Sequence, residues 1–354
     1  MEHPKNLPPG TSAIVFLLSA GFLYICIWSP SRTLLPYNEL DDPPKNYTTV
    51  EFPVKDELEL ALEGASMPNK TVIIAVVNRA YVEQTVDAET TMLDLFLESF
   101  WLGEDTRPLL DHLLLVTVDQ TAHDRCVFKR LRCYRLETEG VDFGGEKVYM
   151  SREFIKMMWR RTLFLLDVLK RGYNFIFTDT DVMWLRNPFV KLGLNGTEDL
   201  QISVDKYYGD PRPDHNFINT GFYHIRSNNK TIALFDRWYS LKDNSTRRKE
   251  QDVLLDLLRH GIVAEFDLRV MFLETRHFSG FCEDSRDVGA VTTVHANCCR
   301  HIGAKVRDLT AVLRDWKRLK AAVTKYPKAA RNITGSFRWS AHDGCLNSWK
   351  PHHH

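Results

Sequence analysis

The sequence lacks an excess of charge of either sign, because lysine plus arginine and aspartate plus glutamate number 46 each. Without net charge, the chain has no global field that would attract nucleic acid or an acidic membrane surface. It also lacks internal repeats and low-complexity tracts. With 44% apolar and 26% charged residues, it is an ordinary globular chain, long enough for one large domain or two small ones. Nucleic-acid binding is therefore not expected.

Charge is absent altogether from the apolar stretch of residues 11–28. That length is at the short end of the roughly 17 to 25 residues that cross a bilayer as a helix. A cleaved signal peptide is the alternative, but Trp28-Ser29-Pro30 lacks the small-X-small pattern of a cleavage site. We expect a retained signal-anchor, preceded by a cytosolic tail over residues 1–10.

Glycosylation sequons and cysteines indicate that the part after the anchor is lumenal. Cys26 lies in the anchor, and the other six cysteines form an even set that suits an oxidising compartment. Their pairing stays open, although Cys126 and Cys133 could close a small loop, and a zinc site is the alternative for the cluster around Cys298. All six Asn-X-Ser/Thr sequons follow the anchor, at Asn46, Asn69, Asn195, Asn229, Asn244 and Asn332.

Residues 29–68 contain six prolines among acidic and polar residues, which predicts an extended stem with one possible helix over 55–63. From Thr71 onwards the pattern alternates between strand and helix, which predicts a mainly parallel sheet in a domain over 69–345. The tail, 346–354, ends in three histidines to which we assign no role. The predicted elements are a strand over 72–77, a helix over 90–101, a strand over 113–118 and a helix towards residue 130.

The most informative segment follows the strongest predicted helix, residues 151–171, for which Gly172 is the stop signal. An apolar strand then delivers two carboxylates, Asp179 and Asp181, to its carboxyl end. Side chains two apart in an extended chain point the same way, so both carboxylates can face one hard cation. The alternative is a strand that ends in a solvated acidic turn, since Asp-X-Asp alone has a high false-positive rate.

Once Asp179-Thr180-Asp181 is placed, the chain resembles the plant nucleotide-diphospho-sugar transferase family, grouped within glycosyltransferase family 77. The resemblance runs from about Thr71 to Trp316. Besides the acidic segment, it is carried by Leu95-Phe96-Leu97-Glu98-Ser99-Phe100, Met157-Met158-Trp159-Arg160-Arg161, Asn219-Thr220-Gly221-Phe222-Tyr223, Gln251-Asp252-Val253 and His295-Ala296-Asn297-Cys298-Cys299.

This resemblance implies a GT-A (Rossmann-like) α/β fold, with a mainly parallel sheet flanked by helices. It also implies a site that depends on Mn²⁺ (or Mg²⁺), a UDP-sugar donor and transfer with retention at the anomeric carbon. Related members act in Golgi-type membranes and build plant cell-wall glycans and glycoproteins. We therefore expect a single-pass type II Golgi protein whose partners are a nucleotide-sugar donor, a glycan or glycoprotein acceptor and, through its anchor, the membrane.

The resemblance also assigns metal ligands. Asp179 and Asp181 match the family's Asp-X-Asp, with Asp181 the more direct ligand and Asp179 shared between metal and donor. His295 is expected as the third ligand, because neutral imidazole suits manganese. A hydrogen-bonded core histidine is the alternative. Lys305, ten residues further on, could neutralise the leaving diphosphate, or it could be a solvated surface lysine.

Gln251 and Asp252 open a predicted helix over 251–259 and are the candidate catalytic residues. Asp252 could stabilise an oxocarbenium-like centre or act as a nucleophile, whereas same-face substitution would need no enzyme nucleophile. Helix capping is the alternative role for Asp252. The family usually has Asp or His-Asp before this glutamine, but Lys249-Glu250 precede it here.

Donor-binding residues are expected at two further places. Asn219 and Gly221 belong to a predicted polar turn in which glycine allows close backbone approach to a sugar. Asn78 and Arg79 end the first strand, where base and ribose are recognised in such folds by resemblance, and Tyr81 could stack on the base.

Three functions are weighed from these residues. The first is a retaining glycosyltransferase that moves arabinose, galactose or xylose. The second is a phosphatase of the haloacid-dehalogenase type with Asp179 as nucleophile, although that motif normally opens its domain. The third is a sugar-binding scaffold without turnover.

Overall fold

The computed structural model describes residues 55–84, 89–138, 141–147, 149–193, 196–210, 215–245 and 247–350. Residues 54–354 cluster as one compact unit. The expected cytosolic tail, the anchor and most of the expected stem lie outside the described residues. Within the part that is described, no helix is both long and apolar enough to cross a membrane.

Helix α1 (Glu57–Ala65) lies where one possible helix is predicted within the expected stem, and it packs on the folded domain. Asp56 caps this helix by accepting a hydrogen bond from the Glu59 amide. Its apolar face packs against the sheet and is buried there, through Leu58, Leu62 and Ala65. The hydrophobic contact of this face outweighs the stem-like composition around it, so the domain begins near residue 55.

We expect Leu62→Ala to lower the free energy of unfolding by about 2–5 kcal/mol, because Leu62 is fully buried and its removal leaves a cavity. Leu60 lies on the same helix with 56% of its surface exposed, so Leu60→Ala is the matched control, expected within about 0.5 kcal/mol of wild type. Urea denaturation measures both. Equal stability of the two variants would place α1 outside the cooperative unit.

The main sheet has seven strands in the order β3-β2-β1-β4-β7-β6-β8. Four neighbouring pairs are parallel, and β7 runs antiparallel to both β4 and β6. The prediction of a mainly parallel sheet is thus confirmed. The strands are β1 (Thr71–Val77), β2 (Leu113–Thr117), β3 (Arg132–Arg135), β4 (Asn174–Thr178), β6 (Leu200–Lys206), β7 (Phe217–Ile225) and β8 (Val270–Leu273).

Helices cover both faces of this sheet, and each face has its own apolar core. One core contains Trp159 and Trp238, and the other contains Trp184 and Trp316. Strands β1 and β2 are buried along almost their whole length because helices pack on both faces of the sheet. The helices after α1 are α2 (Arg79–Val82), α3 (Met92–Leu102), α4 (Gln120–Phe128), α5 (Arg152–Lys170), α6 (Phe189–Leu192), α7 (Asn229–Ser240), α8 (Glu250–Arg259), α9 (Ile262–Glu265), α10 (Ile302–Lys325), α11 (Ala330–Ser336) and α12 (Asp343–Asn347), with 3-10 turns over Arg107–His112 and Pro327–Ala329.

A small second sheet orders the chain beside the acidic segment. Its strands, in the order β5-β10-β9, are β5 (Val182–Trp184), β10 (Thr293–His295) and β9 (Phe278–Gly280). Strand β10 runs antiparallel to β5, which pairs His295 with Val182. This register brings a residue more than a hundred positions away next to the acidic pair.

All six cysteines of the described region form disulfides, which excludes the zinc alternative. Cys126 pairs with Cys133, Cys282 with Cys298, and Cys299 with Cys345. The last pair, 46 residues apart, ties the carboxyl-terminal helix α12 to the segment after β10.

A buried histidine in β7 makes stability depend on pH. Burial, with Arg226 nearby, lowers the pKa of His224 to about 4, against an ordinary value near 6.5. The folded state therefore holds the neutral imidazole, whose stabilising contribution is complete above pH 6.5 and is lost as the pH falls towards 4. That loss amounts to about 3 kcal/mol.

We expect His224→Gln to flatten the pH dependence of unfolding between pH 6.5 and 4, because glutamine does not titrate. His260 is exposed, so His260→Gln is the matched control for replacing a histidine side chain by glutamine. Denaturant unfolding at several pH values measures this. An equally steep fall in His224→Gln would show that other groups cause it.

Candidate active site

The acidic segment forms the turn between β4 and β5, at the carboxyl end of a buried strand as expected. The Asp179 amide donates a hydrogen bond to the Gly221 carbonyl over 2.7 Å, and the Val182 amide donates to the Asp179 carbonyl over 3.3 Å. Strand β7 therefore holds the backbone of the turn from the side. This is where open α/β sheets bind ligands.

Three side chains meet at this turn. The imidazole Nε2 of His295 lies 3.3 Å from Oδ1 of Asp181. The ligand atoms of Asp179, Asp181 and His295 all lie within 4.8 Å of one another. The structure thus brings together the three residues that the sequence proposes as metal ligands.

A missing side chain makes room for this group. Asn219, Thr220 and Gly221 lie inside strand β7, so their prediction as a turn is wrong; the ladder to β4 ends at Phe222, and the register to β6 shifts between Tyr223 and Asn219. A Cβ at Gly221 would lie 2.4 Å from the His295 ring and 2.8 Å from Oδ2 of Asp179. Glycine is therefore required at position 221 because the side chains of His295 and Asp179 pack against it. The close approach to this glycine is made by these two side chains, whereas the sequence predicts a sugar there.

Lysine and histidine together hold Asp181 as a carboxylate. Burial alone would raise the pKa of Asp181, but the charges of Lys305, 2.8 Å away, and His295 outweigh it and lower the pKa. Burial likewise opposes protonation of Lys305 and His295, yet the charge of Asp181 raises the pKa of both. Lys305, with 18% of its side chain exposed, is therefore a partly buried partner of the acidic pair, and the surface-lysine alternative is excluded.

A second ion pair, which the sequence does not reveal, supports Asp179. Arg161 donates to Oδ1 of Asp179 over 3.0 Å and to Oε1 of Glu250 over 2.7 Å. Desolvation raises the pKa of Asp179, and the charge of Arg161 opposes this rise. The Asp179 side chain stays 37% exposed. Arg161 follows Met158 by three positions, so its place on the apolar stripe of α5 is the signal that could have found it.

At the start of α8, the glutamine enters the site and the neighbouring aspartate does not. Oε1 of Gln251 accepts a hydrogen bond from the Thr220 amide over 3.1 Å, and the Thr220 hydroxyl lies 3.2 Å from the same oxygen and 3.0 Å from Oε1 of Glu250. Gln251 and Glu250 line the cavity beside the acidic pair, whereas Asp252 does not. Asp252 also makes no capping bond, since α8 begins without a side-chain cap. Its partial burial raises its pKa.

Of the three candidate donor-binding residues after β1, two line the cavity and one does not. Asn78 and Tyr81 line the cavity, and burial raises the pKa of Tyr81 to about 12. The Asn78 amide is engaged with the carbonyls of Phe143 and Gly145, so it positions the loop over 143–145. Arg79 does not line the cavity; its half-exposed guanidinium lies 3.7 Å from Glu83.

The cavity measures about 300 Å³, which is the lower end of the range for small-molecule sites. Two carboxylates and an imidazole suit a hard or borderline divalent cation such as Mn²⁺ or Mg²⁺. The missing Cβ of Gly221 preserves the space between them, so the residues fit a metal. The group lies at the carboxyl end of an α/β sheet, where ligands bind, and a divalent cation held there could stabilise a diphosphate.

Comparison with known proteins agrees. Residues 108–309, more than half of the chain, match the model of the family described as nucleotide-diphospho-sugar transferase. An uncharacterized protein of Arabidopsis thaliana is 59% identical over 308 residues, which cover 86% of this chain and 88% of that protein. The chain belongs to the nucleotide-diphospho-sugar transferase family and is a glycosyltransferase that uses a nucleotide-sugar donor and a sugar acceptor.

Relatives with a named activity match over shorter stretches. A UDP-galactose:fucoside alpha-3-galactosyltransferase of Dictyostelium discoideum is 41% identical over 102 residues, covering 28% of this chain and 15% of that enzyme. A beta-arabinofuranosyltransferase of Arabidopsis thaliana is 24% identical over 212 residues, covering 58% and 36%. Among solved structures, a galactosyltransferase in complex with donor and acceptor sugar analogs superposes with a TM-score of 0.40 at 15% identity, covering 74% of this chain and 99% of that one.

Proposed function

We propose that the protein is a metal-dependent, retaining glycosyltransferase that moves a sugar of the arabinose, galactose or xylose class from its UDP-sugar to a glycan or glycoprotein acceptor. The observation that carries the proposal is the meeting of Asp179, Asp181 and His295 beside Lys305, in one cavity of a family member. Each of these groups serves the diphosphate half of a nucleotide sugar.

Asp179, Asp181 and His295 would hold Mn²⁺ or Mg²⁺ in this proposal. When bound, such a metal neutralises charge on the diphosphate leaving group. Lys305 adds a positive charge at the same place, because its ammonium group lies 2.8 Å from Oδ2 of Asp181. Arg161 keeps Asp179 oriented through its hydrogen bond to Oδ1. Together these side chains bind and orient the departing group before the sugar is transferred.

We further propose that Gln251, rather than Asp252, faces the donor sugar. The Thr220 backbone and hydroxyl fix the Gln251 carbonyl oxygen, which leaves its amide hydrogens for a ligand. Glu250 lies beside it but is neutralised by Arg161. With Asp252 outside the cavity lining, same-face substitution without an enzyme nucleophile is the retaining route that this arrangement supports.

Compartment and substrates rest on other observations. The three disulfides suit an oxidising lumen, which supports the expected single-pass type II protein of the Golgi membrane. The named activities of the relatives support a galactosyl or arabinosyl donor. We propose a cell-wall polysaccharide or a glycoprotein as the acceptor.

The test is the release of UDP by the full-length chain in detergent, with Mn²⁺ and with UDP-galactose, UDP-xylose or UDP-arabinose. We expect one donor to be hydrolysed or transferred, and activity to disappear when the metal is chelated. Tight binding of a donor without turnover would support the scaffold alternative. Release of phosphate from an aryl phosphate, abolished by Asp179→Asn, would instead support the phosphatase, which the family match disfavours.

A further inference from the structure

Two aromatic rings remain exposed at the cavity that holds the acidic pair. Trp349 follows the carboxyl-terminal helix α12 and is 46% exposed, and Tyr149 precedes helix α5 and is 41% exposed. Both line the cavity of Asp179 and Asp181, although 200 positions separate them in the sequence. The diphosphate chemistry described above uses neither ring.

The Trp349 ring is fixed in place by two contacts. Its Nε1 donates a hydrogen bond of 2.6 Å to the Cys298 carbonyl. The guanidinium carbon of Arg300 lies 3.9 Å from the ring centroid and covers part of the ring. An indole held in this way presents its remaining surface without loss of rotational freedom when a ligand binds, which is the advantage of a preorganised contact.

The segment that carries Trp349 is itself anchored to the domain. Cys345 is joined to Cys299 by a disulfide, and its amide donates to Oδ2 of Asp308 over 2.7 Å. The Ser348 hydroxyl accepts a hydrogen bond of 3.1 Å from the Arg300 amide. Trp349 is therefore attached to the same segment that supplies His295, so it keeps a constant position relative to the acidic pair.

Tyr149 is held by contacts with two other side chains. The Lys249 ammonium lies 5.2 Å from its ring centroid, and the Phe154 ring lies 5.4 Å from it. Lys249 directly precedes Glu250 and Gln251, and it lines the same cavity. The second ring is thus tied to the helix start that we assign to the donor sugar.

We propose that Trp349, together with Tyr149, forms a platform on which a sugar ring of the acceptor packs during transfer. This rests on the proposed function, because it assigns the acceptor half of the same site. The apolar C–H face of a pyranose or furanose ring packs on an aromatic ring, and its hydroxyl groups reach polar partners at the edge. The Arg300 guanidinium and the Lys249 ammonium lie over parts of the two rings and can donate to hydroxyl groups of a sugar packed beside them.

The donor is a poorer occupant of this platform. Its diphosphate belongs with Lys305 and the acidic pair, and its base belongs with Tyr81 and Asn78 after β1. The platform residues instead come from the segments before α5 and after α12. An exposed, rigid aromatic surface at the edge of the cavity therefore suits the acceptor, which must enter and leave the site separately from the donor.

The chain offers a matched control for Trp349. Trp101 in α3 is 56% exposed, and the Arg107 guanidinium carbon lies 4.1 Å from its ring centroid. It has the same chemistry as Trp349 beneath Arg300, but it does not line the cavity. Trp101→Ala therefore reports the general effect of deleting an exposed indole beside an arginine.

The test is calorimetric binding of methyl glycosides of L-fucose, D-galactose and L-arabinofuranose to the full-length chain, with UDP and Mn²⁺ present. We expect at least one glycoside to bind and Trp349→Ala to weaken it about tenfold. Trp349→Phe recovers most of that loss, and Trp101→Ala binds like wild type. The affinity for UDP stays within about twofold in all variants, since the platform does not contact the nucleotide.

Three results would overturn the platform: no glycoside binds the wild type, Trp349→Ala binds as tightly as wild type, or Trp349→Ala loses UDP and glycoside equally. This readout is separate from turnover. A chain that binds a glycoside through Trp349 but releases no UDP from any UDP-sugar would contradict the proposed function and still support the platform. Where turnover occurs, we expect Trp349→Ala to raise the acceptor KM about tenfold and Trp101→Ala to leave the acceptor KM as in wild type.

Discussion

Replacing Asp181 with asparagine is expected to lower transfer by about 10³-fold or more. The substitution keeps the size of the side chain and removes its charge. Asp181 is the member of the acidic pair that is 4% exposed and contacts both His295 and Lys305. Without its charge, a divalent cation loses a ligand, and the lysine loses the partner that orients it towards the diphosphate.

Steady-state UDP release and Mn²⁺-dependent thermal stabilisation measure this effect. We expect the metal to raise the melting temperature of the wild type but not of Asp181→Asn. Asp236 is 50% exposed and pairs with Lys170, so Asp236→Asn is the control for removal of an aspartate charge. If Asp181→Asn retained full activity and full stabilisation by Mn²⁺, the acidic pair would not be the metal site.

Gly221→Ala is expected to reduce activity by about 10²-fold or more, although it adds only one methyl group. The new Cβ would lie 2.4 Å from the His295 ring, 2.8 Å from Oδ2 of Asp179 and 2.9 Å from Oδ1 of Asn219. The Gly221 carbonyl accepts a hydrogen bond from the Asp179 amide and the Gly221 amide donates one to Oδ1 of Asn219, so its backbone cannot shift without disturbing the acidic turn. The ligand side chains must therefore move apart, and the affinity for Mn²⁺ falls with activity.

Gly335 provides the matched control, because a Cβ added there meets nothing within 4 Å. Gly335→Ala lies in helix α11, where alanine is favoured over glycine by up to about 1 kcal/mol, so its activity should equal that of wild type. Activity and Mn²⁺ affinity are compared in both variants. Unchanged Mn²⁺ affinity in Gly221→Ala would mean that His295 and Asp179 do not share one ion.

The sequence predicts those parts of the site that depend on short spacing. The acidic pair follows an apolar strand, and Gly172, with φ +82°, ends the preceding helix as predicted. His295 and Lys305 come from the family resemblance. The antiparallel register of β5 and β10 explains why His295 reaches Asp181, whereas Lys305 reaches it from the start of α10. A local pattern is enough to predict that the two carboxylates face the same way, because side chains two positions apart in an extended chain lie on one side.

What the sequence does not predict depends on contacts between distant segments. Helix α1 has the composition of a stem, but three of its residues are buried against the sheet. Glu250 departs from the family pattern, and only the fold shows that Arg161 on another helix compensates it. The choice between Gln251 and Asp252 depends on which face of α8 meets Thr220. None of these partners lies within a few residues in sequence, so no local periodicity reports them.

The measurement that we would make first is a calorimetric titration of Mn²⁺ into the full-length chain with UDP present, for wild type, His295→Ala and the control His277→Ala. His277 hydrogen-bonds the Ala290 carbonyl and does not line the cavity. If Asp179, Asp181 and His295 form the metal site of a nucleotide-sugar transferase, wild type and His277→Ala bind Mn²⁺ and UDP together, and His295→Ala binds Mn²⁺ at least about tenfold more weakly. Binding of UDP that is independent of Mn²⁺, or equal Mn²⁺ affinity in all three proteins, would contradict that assignment.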